Sequence, residues 1–521
     1  MNKELIELNK QVEFKTLKEI EEYQYKEYIT TLIYRGSEPL RKEDLPKNEN
    51  GFLKVIYLID INQSNINLSI IPEGVEELHF PFENESITIN LKNGELPKSI
   101  KSIYNFNINE SNDYLIDSTT IPNQITTLSF RCYSNFNDRI NSERFKLPTT
   151  ITSLTFGDDW KNGGFSFEKG DFHEGLKNLN IIGYDKPLTD CILPQSLESL
   201  SISHPNNYTL PLLNDKETFL PTNLKTLSIS SQFNKGLTIP TNSIPQSITS
   251  LKLMSTDIEI DNLFYKNSTI KNLEIKISLK KQKQQISKEM LPSNLQSLTV
   301  STESNIIEKN ALPKSLEYLN YSIQDQQLTD TYQLLNNGFL NEGLKKLLID
   351  LPNLEINNHS NVYFNDIFPK SLKELTLSNK FNINLNLLNK NGSNVFNEGL
   401  EKLKFGYYYN GEIELGLLPS TLKELEFGSS FNSPLKGGSL PNGLKVLRFE
   451  EYGNFNQPFE LNSLPLTLEQ LYLPKGYNQS LTLPFILPLS LKVIQIPKKL
   501  KINNLINDSS IPSSVLIIKF N

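Results

Sequence analysis

Apolar residues recur along most of this chain in one figure. An apolar residue precedes a proline, and further apolar positions follow three, six and eight residues after it, with polar residues between. "LPSTLKELEF" at 418 shows it in full, as do "IPNQITTLSF" at 121, "LPTTITSLTF" at 147, "LPQSLESLSI" at 193 and "LPLSLKVIQI" at 487. In "LPSTLKELEF" Leu425 and Phe427 are two apart and share one face of a strand, while Glu424 and Glu426 point the other way. One short strand cannot bury an apolar face alone, so successive cycles must stack as parallel strands about 4.8 Å apart, with Leu422, Leu425 and Phe427 lying over their counterparts. The proline sits where the strand begins and its missing N–H breaks no ladder. In variant cycles Glu398-Gly399 and Asn442-Gly443 offer turn chemistry at nearly the same point.

The repeat reaches back through weaker cycles at 49 and 25, giving about 21 cycles at intervals of roughly 21 to 28 residues, in the range of leucine-rich repeats. The fold class read from this is a β-rich, leucine-rich-repeat-like solenoid with one short parallel strand per coil and a length on the order of 100 Å. The second half of the cycle carries Phe-Asn at Phe106-Asn107, Phe136-Asn137, Phe233-Asn234, Phe381-Asn382, Phe431-Asn432 and Phe455-Asn456, with Tyr409-Asn410 and Tyr477-Asn478 as relatives. A ring there can plug the interior where the coil turns, and the asparagine can bond backbone groups that the bend leaves unpaired. Residues 3 to 23 set Leu5, Leu8, Val12, Leu17 and Ile20 among Glu and Lys, which predicts an amphipathic helix capping the N-terminal end of the array. The expected division is a capping helix over 1–24 and a solenoid over 25–521, strongest over 71–521.

"LPSTLKELEFGSSFNSPL" closely resembles the FNIP repeat, a unit of about 22 residues related to leucine-rich repeats and expanded in social amoebae. The resemblance covers residues from about 71 to 521 and is most specific between 396 and 482. In the fourth place of the motif, where the family commonly has isoleucine, this chain has Asn432-Ser433-Pro434-Leu435 or Asn456-Gln457-Pro458-Phe459. The resemblance implies a binding scaffold. Some family members carry an F-box-like or kinase domain ahead of the repeats, and the roughly 24 residues before the first weak cycle here are too few for either.

Composition narrows the field. In 521 residues, 52 Lys and Arg stand against 59 Asp and Glu, a formal charge of −7 that is no signature of nucleic-acid or membrane binding. Charge begins at residue 3, and no run approaches the 18 or so apolar residues of a membrane span, so a cytoplasmic protein is expected. Cys132 and Cys191 lie far apart, and His79, His173, His204 and His359 fall in different coils without ligand spacing. No cofactor, metal or catalytic constellation is expected. The basic cluster at 276–288 lacks interleaved aromatics and reads as a solvated loop. At the other end Val515, Leu516, Ile517 and Ile518 form an apolar strand edge suited to self-association with another copy.

The outward strand positions carry the functional expectation. From Thr127 through Ser129, Ser153, Thr155, Asn178, Asn180, Ser199, Ser201, Thr226, Ser228 and Ser250 to Lys252 they are small and almost all neutral. From 340 to 440 they become Lys346, Leu348, Glu374, Thr376, Lys402, Lys404, Glu424, Glu426, Val446 and Arg448. The expectation is a non-enzymatic scaffold that binds a protein through the concave sheet face, with Lys346, Glu374, Lys402, Lys404, Glu424, Glu426 and Arg448 as the contact residues. A carbohydrate-binding protein using the Ser/Thr/Asn half of that face is the alternative.

Overall fold

A computed structural model describes residues 11–59, 67–80, 96–108, 120–132, 146–157, 167, 169–183, 193–204, 220–231, 244–254, 268–277, 285–288, 290–302, 307–324, 338–350, 368–382, 384–385, 396–481, 486–497, 500 and 515–519. Cys191, His359, most of the basic cluster, Phe136-Asn137 and Phe233-Asn234 lie outside them. The chain forms two compact units, Met1–Glu259 and Ile260–Asn521.

The first unit is a parallel β-solenoid of strands β1 (Gln11–Phe14), β2 (Thr31–Tyr34), β3 (Val55–Leu58), β4 (Glu77–His79), β5 (Ser102–Ile108), β6 (Thr127–Cys132), β7 (Ser153–Gly157), β8 (Asn178–Ile182), β9 (Ser199–His204), β10 (Thr226–Ser231) and β11 (Ser250–Met254). Each pairs in parallel with the next in chain order. The second unit repeats the arrangement with β12 (Asn272–Ile277), β13 (Ser297–Thr302), β14 (Tyr318–Ile323), β15 (Lys346–Asp350), β16 (Glu374–Thr376), β17 (Lys402–Lys404), β18 (Glu424–Phe427), β19 (Val446–Phe449), β20 (Gln470–Tyr472), β21 (Val493–Ile496) and β22 (Leu516–Lys519). Register is strict: Leu375, Leu403, Leu425 and Leu447 lie on one another, all buried.

The N-terminal expectation is corrected within the described residues. Gln11–Phe14 is not helix but a strand paired with β2, and the α-helix among the described residues of this segment, α1, is Leu17–Glu22. The rest of the expected helix, residues 3–10, lies outside the described residues. Val12 and Phe14 alternate with Glu13, the pattern of a rung. Thr16 then starts α1, its hydroxyl accepting from the Glu19 amide.

Three local devices make the coil. The proline carbonyl accepts from the apolar residue three later, as Pro419 does from Leu422 at 3.2 Å, which closes a turn ahead of the strand. In the glycine variant the same turn holds Gly399 at φ +106°, a conformation that side chains resist. A hydroxyl between proline and leucine stitches coils together: Thr421 donates to the Leu400 carbonyl at 2.8 Å and accepts from the Gly399 amide at 2.9 Å, and Ser196 and Ser371 do the same in their coils. The third device is a bulge. The amides of Lys423 and Glu424 both donate to the Glu401 carbonyl, at 2.8 and 3.0 Å, and this doubling recurs from coil to coil. It lets two consecutive residues face outward between Leu422 and Leu425.

The Phe-Asn pairs act as expected where they are described after the strand. Phe381, Tyr409, Phe431, Phe455 and Tyr477 form one buried column with centroids 5.9 to 6.1 Å apart. Phe405, Phe427 and Phe449 form a second, and the columns meet at 3.8 to 4.0 Å. Beside them each asparagine accepts from the amide of the next coil's asparagine: Asn382 from Asn410 (3.0 Å), Asn410 from Asn432 (2.7 Å), Asn432 from Asn456 (2.9 Å) and Asn456 from Asn478 (2.9 Å). Phe106-Asn107 is different, lying inside β5 beyond a register shift.

Candidate functional site

Because the strands of the second unit are in register, their outward residues form rows. The first row sets Lys346, Glu374, Lys402, Glu424 and Val446 side by side, and the next sets Leu348, Thr376, Lys404, Glu426 and Arg448. The charges alternate along each row, so they pair across strands. Lys346 reaches Glu374 at 2.9 Å, Lys402 reaches Glu424 at 3.1 Å, and Lys404 holds Glu426. The Lys402 ammonium is held above its ordinary pKa, chiefly by its hydrogen bond to Glu424. Arg448 does otherwise, laying its guanidinium 3.6 Å over the Tyr472 ring. All seven expected contact residues line one open depression of about 140 Å³, floored by Leu375, Leu403 and Leu425.

The bulge adds a row that strict alternation missed. Glu401 is bracketed by Lys373 (3.3 Å) and Lys423 (2.6 Å), and Glu469 by Lys445 (3.1 Å) and Lys492 (2.6 Å). Hydrogen bonds from these lysines, that from Lys423 first for Glu401 and that from Lys492 first for Glu469, keep both carboxyls below their ordinary pKa. The signal was in the sequence: an L-x-x-L spacing cannot be a plain period of two.

In the first unit the Ser/Thr/Asn positions form two rows in register, from Thr127 to Ser250 and from Ser129 to Lys252. Ser129, expected outside, is buried. Upstream the same face holds a stack that sequence reasoning missed, with His79 between Tyr57 at 4.0 Å and Tyr104 at 4.3 Å. Glu77 stands 3.5 Å from His79 Nε2, yet burial dominates and lowers the imidazole pKa. One aromatic at the same outward position of three successive cycles, 57, 79 and 104, was its signature.

Among the described residues no group of three or more His, Cys, Asp or Glu is placed to hold a metal ion, and no helix is long and apolar enough to cross a membrane. Glu424 and Glu426, two apart on this face, are each held by a lysine.

The family model for the FNIP Repeat matches residues 216–256, 283–321, 389–430 and 431–476. These segments are FNIP repeats. The last two FNIP segments carry Lys402, Lys404, Glu424, Glu426, Arg448 and Tyr472, so most of the depression is built from them. No curated protein matches the chain. Among solved structures it is similar to CroV588, a circular LRR protein, at 22% identity over 97% of this chain and 87% of that one, with a TM-score of 0.43. It is also similar to a chain of the TLR13-ssRNA13 complex (16% identity, 94% and 71% covered, TM-score 0.45) and to one of the mouse RP105/MD-1 complex (14%, 94% and 84%, 0.43).

Proposed function

We propose that the chain is a non-enzymatic repeat scaffold and that the outward face of β15–β20 binds a protein partner. The observation that supports this most is the single depression lined by all seven charged residues, held on strands whose spacing and register leave little freedom. Short coils repeat the same backbone, so a partner meets a fixed grid of charge. The Ser/Thr/Asn half supports no second reading. Sugar binding calls for open ring faces, and the outward positions of that half supply no aromatic ring.

The test places a photo-crosslinking residue at Thr376, inside the depression, or at Glu412, exposed outside it. In cells producing the full chain, cross-links to a protein are expected from position 376 and not from 412. Equal yields from both, or none from 376, would count against this face.

A further inference from the structure

The depression holds four cations, Lys346, Lys402, Lys404 and Arg448, against three carboxylates, Glu374, Glu424 and Glu426. Each lysine has its own glutamate, so the one residual positive charge has a definite address. The register partner of Arg448 is Glu426, but Lys404 holds that carboxylate. Among the described residues no carboxylate reaches the Arg448 guanidinium, which instead stacks on Tyr472. The ring is itself fixed, its hydroxyl donating to Gln470 Oε1 at 3.0 Å. Stacking occupies a face of the guanidinium and leaves its in-plane N–H fork, the geometry that receives a carboxylate through two parallel hydrogen bonds.

We propose that Arg448 is the anion receptor of this face and that the partner presents an acidic segment whose Asp or Glu carboxylate takes that fork. This rests on reading the face as a partner-binding surface. A singly charged carboxylate matches the single residual charge, whereas a phosphate dianion would meet three carboxylates with one free cation to oppose them. The row ahead of β15–β21 points the same way, with five lysines against two glutamates in a chain whose net charge is −7. That excess steers an acidic segment toward the receptor without holding any one group.

The experiment uses the full chain and a fluorescein-labelled twelve-residue peptide of alternating Glu and Ser, read by anisotropy at low salt. Binding is expected, weakening as salt rises. Arg448→Gln is expected to weaken it roughly tenfold, the scale of a lost charge-assisted bidentate contact. Arg448→Lys keeps the charge without the fork and is expected to fall between. Lys445→Gln removes an equal charge outside the depression and is expected to change affinity less than about twofold. Equal losses for Arg448→Gln and Lys445→Gln would overturn the receptor, as would an absence of peptide binding. Displacement by equimolar inorganic phosphate would also overturn it, marking a site for free anions. Cross-links from Thr376 that survive in Arg448→Gln would sink the receptor alone, and their absence in the unmodified chain would sink the face with it.

Discussion

The coils of β7–β10 and those of β17–β20 share a backbone and differ in almost everything they hold. The first are filled by Phe156, Ile181, Ile202 and Ile229 and show Ser, Thr and Asn outside. The second are filled by two aromatic columns and show paired Lys and Glu outside. Side chains alternate across a strand, so core and surface can be varied independently on one coil. Coil length does not follow the filling: the asparagine ladder steps 22, 24 and 22 residues between Asn410 and Asn478 but 28 between Asn382 and Asn410, so a ring-filled coil takes extra residues without breaking its column.

The largest effect should come from the columns. Phe431→Ala removes a ring that touches Tyr409, Phe427, Phe449 and Phe455 and is expected to cost about 3–5 kcal/mol, against about 0.5–1.5 kcal/mol for Ile202→Val in the aliphatic coils. Urea unfolding of the full chain checks both. Similar midpoints for the two variants would erase the distinction between ring-filled and aliphatic coils.

The same columns carry a defect. The hydroxyls of Tyr409 and Tyr477 are buried without a hydrogen-bond partner where neighbouring coils use phenylalanine, and burial raises both pKa values. An unsatisfied buried hydroxyl costs about 1–3 kcal/mol, so Tyr409→Phe is expected to raise the unfolding free energy by an amount within that range, read as a higher urea midpoint. A lowered midpoint would show that the hydroxyl has a partner after all.

The repeat figure made the strands legible because proline, the three apolar positions and Phe-Asn recur in step, and every coil repeats the same physical demand. That the seven charged residues would share one face was legible for the same reason, since register follows from stacking. Three things were not. The bulge row was hidden because Lys373, Glu401 and Lys423 lie where a plain alternation of two leaves no outward place. The Tyr57, His79 and Tyr104 stack was hidden because Tyr57 lies in the weak cycle at 49, and the run of three rings shows only when that cycle is aligned with those at 71 and 96. Strand β1 was hidden because four residues of Gln-Val-Glu-Phe fit a helix or a strand, and pairing with Thr31–Tyr34 decides it.

That stack gives the first unit a pH dependence on its outward face. Burial lowers the His79 pKa below its ordinary 6.5, so below that value the unfolded chain takes the proton more readily than the folded one. Stability supplied by neutral His79 is full above pH 6.5 and is lost as pH falls toward the lowered folded value. His79→Phe keeps the stack and removes the proton, so its unfolding midpoint should change less than that of the unmodified chain between pH 7 and 5. Parallel profiles would mean that His79 is not the group responsible.

The smallest stability effect belongs to the charged face, and there it is most informative. Lys404 and Glu426 are partly exposed, so Lys404→Glu or Glu426→Lys alone should cost at most about 1 kcal/mol, and the double exchange, which restores an opposite-sign pair, should recover most of it. If these charges only kept an open sheet soluble, the exchanged protein would behave like the original in every assay. If a partner reads their positions, the exchange puts a lysine next to Arg448 and moves negative charge to the 404 side, and cross-linking from Thr376 should fall while the unfolding midpoint stays put. A face whose charges can be exchanged without consequence for stability but not for cross-linking is one whose sequence answers to a partner.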